Sequence, residues 1–273
     1  MLKYDYTVII FLTILINDLL GRVDKMNQYT GIAEVYDKLI DVDYDGWKNF
    51  LVKFFNKEGF SYKGKKCLEL GCGTGNMTLR LKKIGFEVYG MDISEDMMCV
   101  AQEKLMEENL RAVLLNQDMT DFSIDKSFSC IFSFCDGYNY ITDENKLINS
   151  FKNVYSHLND GGYFIFDVSS EYKLKNIIGS KSFTLVEDDI CYIWDNFIDG
   201  DIIEMYITFF VKKGNLYKRI EESHIQRAYS CDFLKRCLEE TGFKKINIYN
   251  GYSFEKYSPL GERILFVCKK GIN

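Results

Sequence analysis

The chain has 273 residues, 47% of them hydrophobic and 15% aromatic, which is ample for a globular core and too apolar for a disordered chain. Its formal net charge of −6 repels phosphate backbones, so nucleic acid is disfavoured as a substrate and a small molecule is the expected partner. Nine cysteines form no C-x-x-C pair and only His157 and His224 could assist them, so reduced, buried thiols in a cytoplasmic protein without a metal are expected.

The first 25 residues stand apart. Thr7 to Ile16 is an unbroken apolar run ended by Asn17 and Asp18, too short for the about 20 residues that span a bilayer. It lacks the basic start and small-residue cleavage site of a signal peptide. Residues 1–25 therefore read as an apolar extension outside a body that begins near Met26, with a membrane anchor as the alternative. Residues 27–58 carry two helical patterns. Tyr29, Ala33, Tyr36 and Ile40 share one face, and Trp47, Leu51, Phe54 and Phe55 share another. Between them, Asp41 to Gly46 imitates the start of a calcium-binding loop, but Val52 stands where the bidentate glutamate belongs. A solvated acidic turn ahead of a helix N-terminus accounts for these carboxylates.

Next comes Cys67-Leu-Glu-Leu-Gly71-Cys72-Gly73-Thr74-Gly75-Asn76, an apolar run meeting glycines at alternate positions. Such a run predicts a buried strand that stops at a tight turn, and Met77, Leu81 and Ile84 then recur at helical spacing. Glycines let a ligand approach the backbone with no Cβ in the way. The dinucleotide fingerprint G-x-G-x-x-G fails, because Asn76 occupies its last position. The pattern present, acidic-x-G-x-G-x-G from Glu69, resembles motif I of the class I S-adenosylmethionine-dependent methyltransferases. That resemblance implies S-adenosyl-L-methionine as cofactor, with Glu69, Gly71, Cys72, Gly73, Gly75 and Asn76 around its amino-acid end. It also implies an N-terminal helix closing over the cofactor through Tyr29 and Tyr36, although plain amphipathic packing explains both tyrosines equally well.

Phe86 to Asp92 predicts a second strand ending in an acid. One carboxylate accepting two hydrogen bonds suits a ribose, and Asp92, with Ile93 beside it, lies at the right distance for that role; nicotinamide-binding folds share the feature. Ser94 then caps a helix. A third strand, Ala112 to Asn116, leads to Gln117, Asp118 and Met119, which the resemblance places at the adenine; a capped turn at Asp118 is the alternative. The fourth strand runs from Phe128 to Phe134, and Phe134 is assigned to the cofactor. Cys135 to Tyr140 follow, beyond a strand's carboxyl end, where open parallel sheets bind ligands. Asp136 and Tyr140 are thus acceptor-side catalytic candidates. The family's Asn/Asp-Pro-Pro-Tyr and Pro-Cys motifs for nucleic acid and protein acceptors are absent, the one proline being Pro259.

A helix from Asp143 to Leu158, with His157 in a structural role, precedes a Gly161-Gly162 turn and a fifth strand, Tyr163 to Val168. From 170 to 229 the pattern becomes alternating strands with hairpin signals at Asp199-Gly200 and Gly214-Asn215. His224, on the last of these strands with Glu222 and Gln226, is the third catalytic candidate. A helix from Ser230 and two strands, Lys245 to Tyr249 and Arg263 to Cys268, close the chain. The expected architecture is α/β: a Rossmann-like seven-stranded sheet with strand seven antiparallel, plus an inserted antiparallel β-sheet lid after strand five. Residues 26–169 and 230–273 would form the cofactor domain and 170–229 the lid. The expected activity is methyl transfer to a small-molecule acceptor, an amine nitrogen, by a monomer or homodimer. The rivals are a tRNA or protein methyltransferase, a nicotinamide oxidoreductase, and a cofactor-binding module without catalysis.

Overall fold

The computed structural model describes Ala33, residues 36–39 and residues 42–272. The expectations for residues 1–25, Tyr29 and Ile40 lie outside these described residues.

A short helix α1 (Tyr36–Leu39) precedes α2 (Tyr44–Lys57). Asp43 caps α2 by accepting the Gly46 N–H at 2.8 Å, and Asp45 pairs with Arg80 and Lys48. The acidic turn is therefore helix-capping and ion-paired, as the failed calcium pattern implied. Strand β1 (Lys66–Leu70) then alternates between the two faces of the sheet, sending Leu68 and Leu70 one way and Cys67 the other. Helix α3 (Asn76–Ile84), β2 (Glu87–Asp92), α4 (Glu95–Glu107), β3 (Val113–Asn116) and β4 (Phe128–Ser133) follow in alternation. The chain continues through a 3-10 turn (Gly137–Tyr140), α5 (Glu144–His157) and β5 (Leu158–Ser169).

These strands join the last two, β10 (Lys245–Asn250) and β11 (Arg263–Lys269), in one sheet of order β3-β2-β1-β4-β5-β11-β10. β11 runs antiparallel to both of its neighbours and the other pairings are parallel. The chain reverses direction of progress between β1 and β4, the switch point at which such sheets open a ligand crevice. One face carries an aromatic core from α2 and α3, including Phe54, Phe55, Phe132 and Tyr163. The other carries α5 and α6 (Cys231–Thr241), packed through Tyr138, Phe151, Phe166, Leu234 and Phe266.

Two boundaries differ from expectation. β5 begins at Leu158, and the Gly161-Gly162 pair lies inside it where the register against β4 shifts, Phe128 facing Leu158 but Cys130 facing Tyr163. A Cβ on Gly162 would meet the Asn159 carbonyl at 2.8 Å and that of Ser129 at 3.0 Å, so glycine serves close backbone approach there. The insertion opens with a π-helical turn (Lys173–Ile178) before its strands begin.

The inserted strands β6 (Ser182–Val186), β7 (Ile190–Asp199), β8 (Ile202–Lys213) and β9 (Leu216–Arg227) form a separate antiparallel meander. Its inner face buries Ile203, Met205 and Phe209 on β8 and Glu222, His224 and Gln226 on β9. Tyr36 of α1 packs against that face beside Ile190, Phe209 and Val211. The meander thus covers the carboxyl-terminal side of the main sheet.

Candidate active site

The end of β1, the glycine turn and α3 form the floor of a pocket. Gly71 and Gly73 hold φ of 67° and 51°, and a Cβ on either would project into open space. That is left-handed backbone, a form glycine adopts without strain, and it leaves room for a ligand to approach the chain. Gly75 serves packing instead: its φ is 76° and a Cβ there would lie 2.8 Å from that of Ala101 on α4. Cys72, Asn76 and Phe134 line the pocket, as the sequence anticipated, and Tyr36 closes it from α1.

Glu69 sits on the floor, 2% exposed, accepting the Thr78 hydroxyl proton at 2.5 Å. Burial pushes its carboxyl up to about 8, against the pull of Thr78 and with a further push from Asp92. The free protein therefore holds this acid mostly protonated at neutral pH, a store of negative charge that a cationic ligand group would release. Asp92, at the end of β2, is also raised by burial, while its oxygens accept the Gly73 N–H at 2.7 Å and the Ser94 N–H at 2.9 Å. It thereby braces the glycine turn from behind.

Asp92, Ile93, Gln117, Asp118 and Met119 lie outside the pocket lining. Ile93 is 71% exposed beside the crevice. Asp118 accepts the Thr120 N–H at 2.8 Å and Gln117 accepts that of Ser123 at 3.2 Å, the capped-turn arrangement. Met119 packs its side chain against the core of the α5 face, and its carbonyl accepts the Ser150 hydroxyl.

Three pocket residues escaped sequence reasoning, Tyr44, Thr74 and Met77, while Cys135 opens the stretch expected at the ligand-binding end of the sheet. Tyr44 meets the Cys135 thiol at 3.8 Å, and the Arg80 guanidinium lies over its ring. Its position just after an acidic turn carried no signal of this, since the contact is made across 91 residues. Asp37 was missed too. It accepts hydrogen bonds from Thr74 Oγ1 at 2.7 Å and Asn76 Nδ2 at 2.8 Å, and it pairs with Lys104 of α4. Burial raises its carboxyl, but Lys104, Thr74 and Asn76 outweigh this and hold it below the ordinary range. One carboxylate thus straps α1 across the glycine turn.

Asp136, Tyr140 and His224, expected on the acceptor side, lie outside the pocket lining, and a polar cluster gathers around Asp136. Cys135 and Asp136 both adopt left-handed backbone, with φ of 55° and 51°, which is costly away from glycine and clusters at functional sites. The Asp136 carboxylate accepts from Gln226 of the lid at 2.9 Å and from Arg263 of β11 at 3.1 Å. Arg263 also pairs with buried Asp167 of β5, whose other oxygen accepts the Tyr252 hydroxyl at 2.7 Å. Burial works to raise Asp136, yet Arg263, Lys173 and Gln226 prevail and hold it ionised below the usual carboxylate range. Asp167, deeper, is pushed up by burial against the pull of Arg263. His224 is 4% exposed, its ring 5.9 Å from that of Tyr140, and burial pushes its pKa down to about 4. Asn139, which no motif flagged, pins the turn: it donates to the Arg227 carbonyl at 2.9 Å and to that of Ser169 at 3.2 Å, and accepts the Ser169 N–H at 2.9 Å. His157 is structural, bonded to the Ile124 N–H at 3.3 Å and stacked near Phe122.

A switch-point crevice floored by an acidic-x-G-x-G-x-G turn and roofed by an inserted sheet defines a methyltransferase architecture, and comparison with known proteins agrees. Residues 67–162 match a family model described as a methyltransferase domain. The chain is 36% identical over 246 residues to GWCH70_2453 of Geobacillus sp. (strain WCH70), covering 89% of this chain and 99% of that one. It is 35% identical to an S-adenosylmethionine-dependent methyltransferase of Clostridium acetobutylicum ATCC 824, whose crystal structure superposes with a TM-score of 0.83 over 89% of this chain and 99% of that one. The fold is shared at 14% identity with CalS10, an amino pentose methyltransferase from Micromonospora echinaspora, with a TM-score of 0.67 over 90% and 100% of the two chains. This protein belongs to the class I S-adenosylmethionine-dependent methyltransferases, and its cofactor is S-adenosyl-L-methionine. No described helix is long and apolar enough to cross a membrane.

Proposed function

We propose that the protein methylates the nitrogen of a small amine. The observation that carries this reading is the Asp136 carboxylate, which adjoins the pocket-lining Cys135 and is held below the usual carboxylate range, against burial, by Arg263, Lys173 and Gln226. A hydroxyl acceptor has to lose its proton, which asks for a general base tuned near neutral pH. His224, at about 4, is too weak a base, and the tyrosines Tyr36 and Tyr44 are raised by burial away from ionisation. An amine brings its own lone pair and needs only orientation. The description of CalS10 as an amino pentose methyltransferase is in keeping with this choice, as is the net negative charge of the chain.

The residues present fit the cofactor. The gap above Gly71 and Gly73 would receive its amino-acid end, and the Glu69 carboxyl at the pocket floor would serve its ammonium group. When bound, the cofactor would supply an activated methyl on a sulfonium, which an acceptor lone pair would take in line as the thioether leaves. What remains for the protein is alignment and the exclusion of water, and alignment alone can be worth about 7–11 kcal/mol. Asp136 orients the amine through its N–H groups, Gln226 and Arg263 fix the carboxylate, and Tyr36 and the inner face of β9 shut out solvent. The inserted subdomain, residues 170–229, acts as the roof.

The test has two arms on the full chain. Calorimetric titration of S-adenosylmethionine is expected to give binding that Asp92→Ala weakens at least tenfold. Incubation with methyl-labelled cofactor and a panel of small amines is expected to release S-adenosylhomocysteine with label in the small-molecule fraction. Label retained on tRNA or protein from a cell extract would overturn the acceptor class.

A further inference from the structure

Asp167 puts a carboxylate into a core row. On β5, Tyr163 and Ile165 face the aromatic core beside α2, and strand alternation brings Asp167 to the same face at 0% exposure. On the neighbouring strand β11, Leu265 and Val267 face that core and Arg263 continues their row. A buried ion pair is a poor source of stability, because apolar side chains of similar volume commonly serve as well or better. The reason for this one lies in what it touches. Asp167 accepts from three donors: the Asp136 backbone N–H at 3.1 Å, the Arg263 guanidinium, and the Tyr252 hydroxyl at 2.7 Å. Tyr252 stacks on Trp47 of α2 with ring centroids 4.3 Å apart, and the Arg263 guanidinium lies over the same indole at 5.3 Å.

The corner that Asp167 holds is strained. Cys135 and Asp136 are consecutive left-handed residues, and among the described residues Asn109 is the only other non-glycine with a positive φ. Asparagine tolerates that conformation, whereas cysteine gains nothing from it. Cys135 and Phe134 line the cofactor pocket. The peptide plane between Cys135 and Asp136 turns with ψ of the first and φ of the second, so an acceptor that fixes the Asp136 N–H also fixes how the Cys135 wall stands.

We propose that Asp167 is a positioning residue of the cofactor site, which holds the Cys135–Asp136 corner left-handed so that the pocket wall is formed before S-adenosylmethionine arrives. Arg263 ties the Asp136 carboxylate to the same anchor, and Tyr252 locks the anchor against α2. A wall already in place spares binding the cost of ordering it. Nothing here depends on the acceptor; the inference rests on the pocket as the cofactor site.

Calorimetric titration of S-adenosylmethionine into full-length variants is the test. Asp167→Leu removes every acceptor at similar volume, lets the corner relax, and should raise the dissociation constant about fivefold or more. Asp167→Asn can turn its amide oxygen to the Asp136 N–H and its amide N–H to the Tyr252 oxygen, and should recover most of that loss. Adding Cys135→Gly removes the steric cost of left-handed backbone, so Asp167→Leu should weaken binding less in that background than in the wild type. A general loss of packing would give the same penalty in both. Circular dichroism and thermal melting show which variants are folded. Where Asp167→Leu does not fold, Tyr252→Phe, which removes a single hydroxyl, carries the test with an expected rise of about twofold or more. Smaller effects than these would overturn the proposal. So would Asp167→Asn binding as weakly as Asp167→Leu, or a penalty undiminished by Cys135→Gly. A wild type that binds no S-adenosylmethionine would overturn the assignment of the pocket and the role of Asp167 with it.

Discussion

Replacing Glu69 by glutamine should remove a pH dependence that belongs to this one buried acid. Its ordinary pKa of 4.5 becomes about 8 in the folded chain, burial being the main cause. The folded state prefers the protonated form, so the associated stability is complete below pH 4.5 and is lost as pH rises toward 8. A shift of that size corresponds to at most about 5 kcal/mol, from about 1.4 kcal/mol for each pKa unit. Glutamine mimics the neutral acid and still accepts the Thr78 hydroxyl. Urea denaturation between pH 5 and pH 8 should therefore show the wild type losing stability relative to Glu69→Gln by a few kcal/mol. The same proton should appear in cofactor binding. With a pKa of about 8, about nine-tenths of free chains carry it at neutral pH. A bound ammonium favours the carboxylate, so binding should release close to one proton, read by calorimetry in buffers of different ionisation enthalpy. Parallel pH–stability curves for the two proteins would refute the buried-acid argument. Equal proton release from Glu69→Gln would refute the assignment of Glu69 to the cofactor.

Asp37→Ala and Lys104→Ala should each speed cofactor dissociation several-fold in stopped-flow measurements, and the double variant should do little worse than either single, because both act through one strap. The ion pair itself is partly exposed and should contribute no more than about 1 kcal/mol to global stability. His224 should titrate in the opposite sense to Glu69: its pKa falls from 6.5 to about 4 on folding, so stability is present above pH 6.5 and lost as pH falls toward 4. Denaturation of His224→Gln across that interval should lack up to about 3 kcal/mol of this loss. Asn139→Ala strands buried groups of Ser169 and Arg227 and should cost about 2–4 kcal/mol in thermal unfolding, far more than a surface substitution.

The local devices were legible along the chain because their causes are local. A compact apolar run that meets alternate glycines reads as a buried strand ending in a tight turn, and β1 followed by α3 does this. Ser94 caps α4 through the Met97 N–H, as a serine before acidic residues should. Alternation with hairpin turns gave the meander its strands and placed Glu222, His224 and Gln226 on one face, now seen to be the inner one. Even the sheet order follows once the turn is matched to its family. His157 was rightly set aside, since a lone histidine at a helix end commonly serves packing.

What tertiary structure decided is which distant groups share a field. Asp37 follows Tyr36 in the N-terminal helix pattern, but its role exists only because α1 folds back on residues 37 and 39 positions further along. Tyr44 and Cys135 meet across 91 residues, Asp136 and Arg263 across 127. Whether Asp136 is ionised, Glu69 protonated or His224 a weak base depends on burial and on these partners, because desolvation and nearby charge set a pKa and neither is a property of residue type. Sequence determined the elements through short-range sterics and periodicity, and the cofactor class through the resemblance of the glycine turn to the family's motif I. The charge states that choose the chemistry were decided only when the lid, the last strand and the glycine turn were brought together.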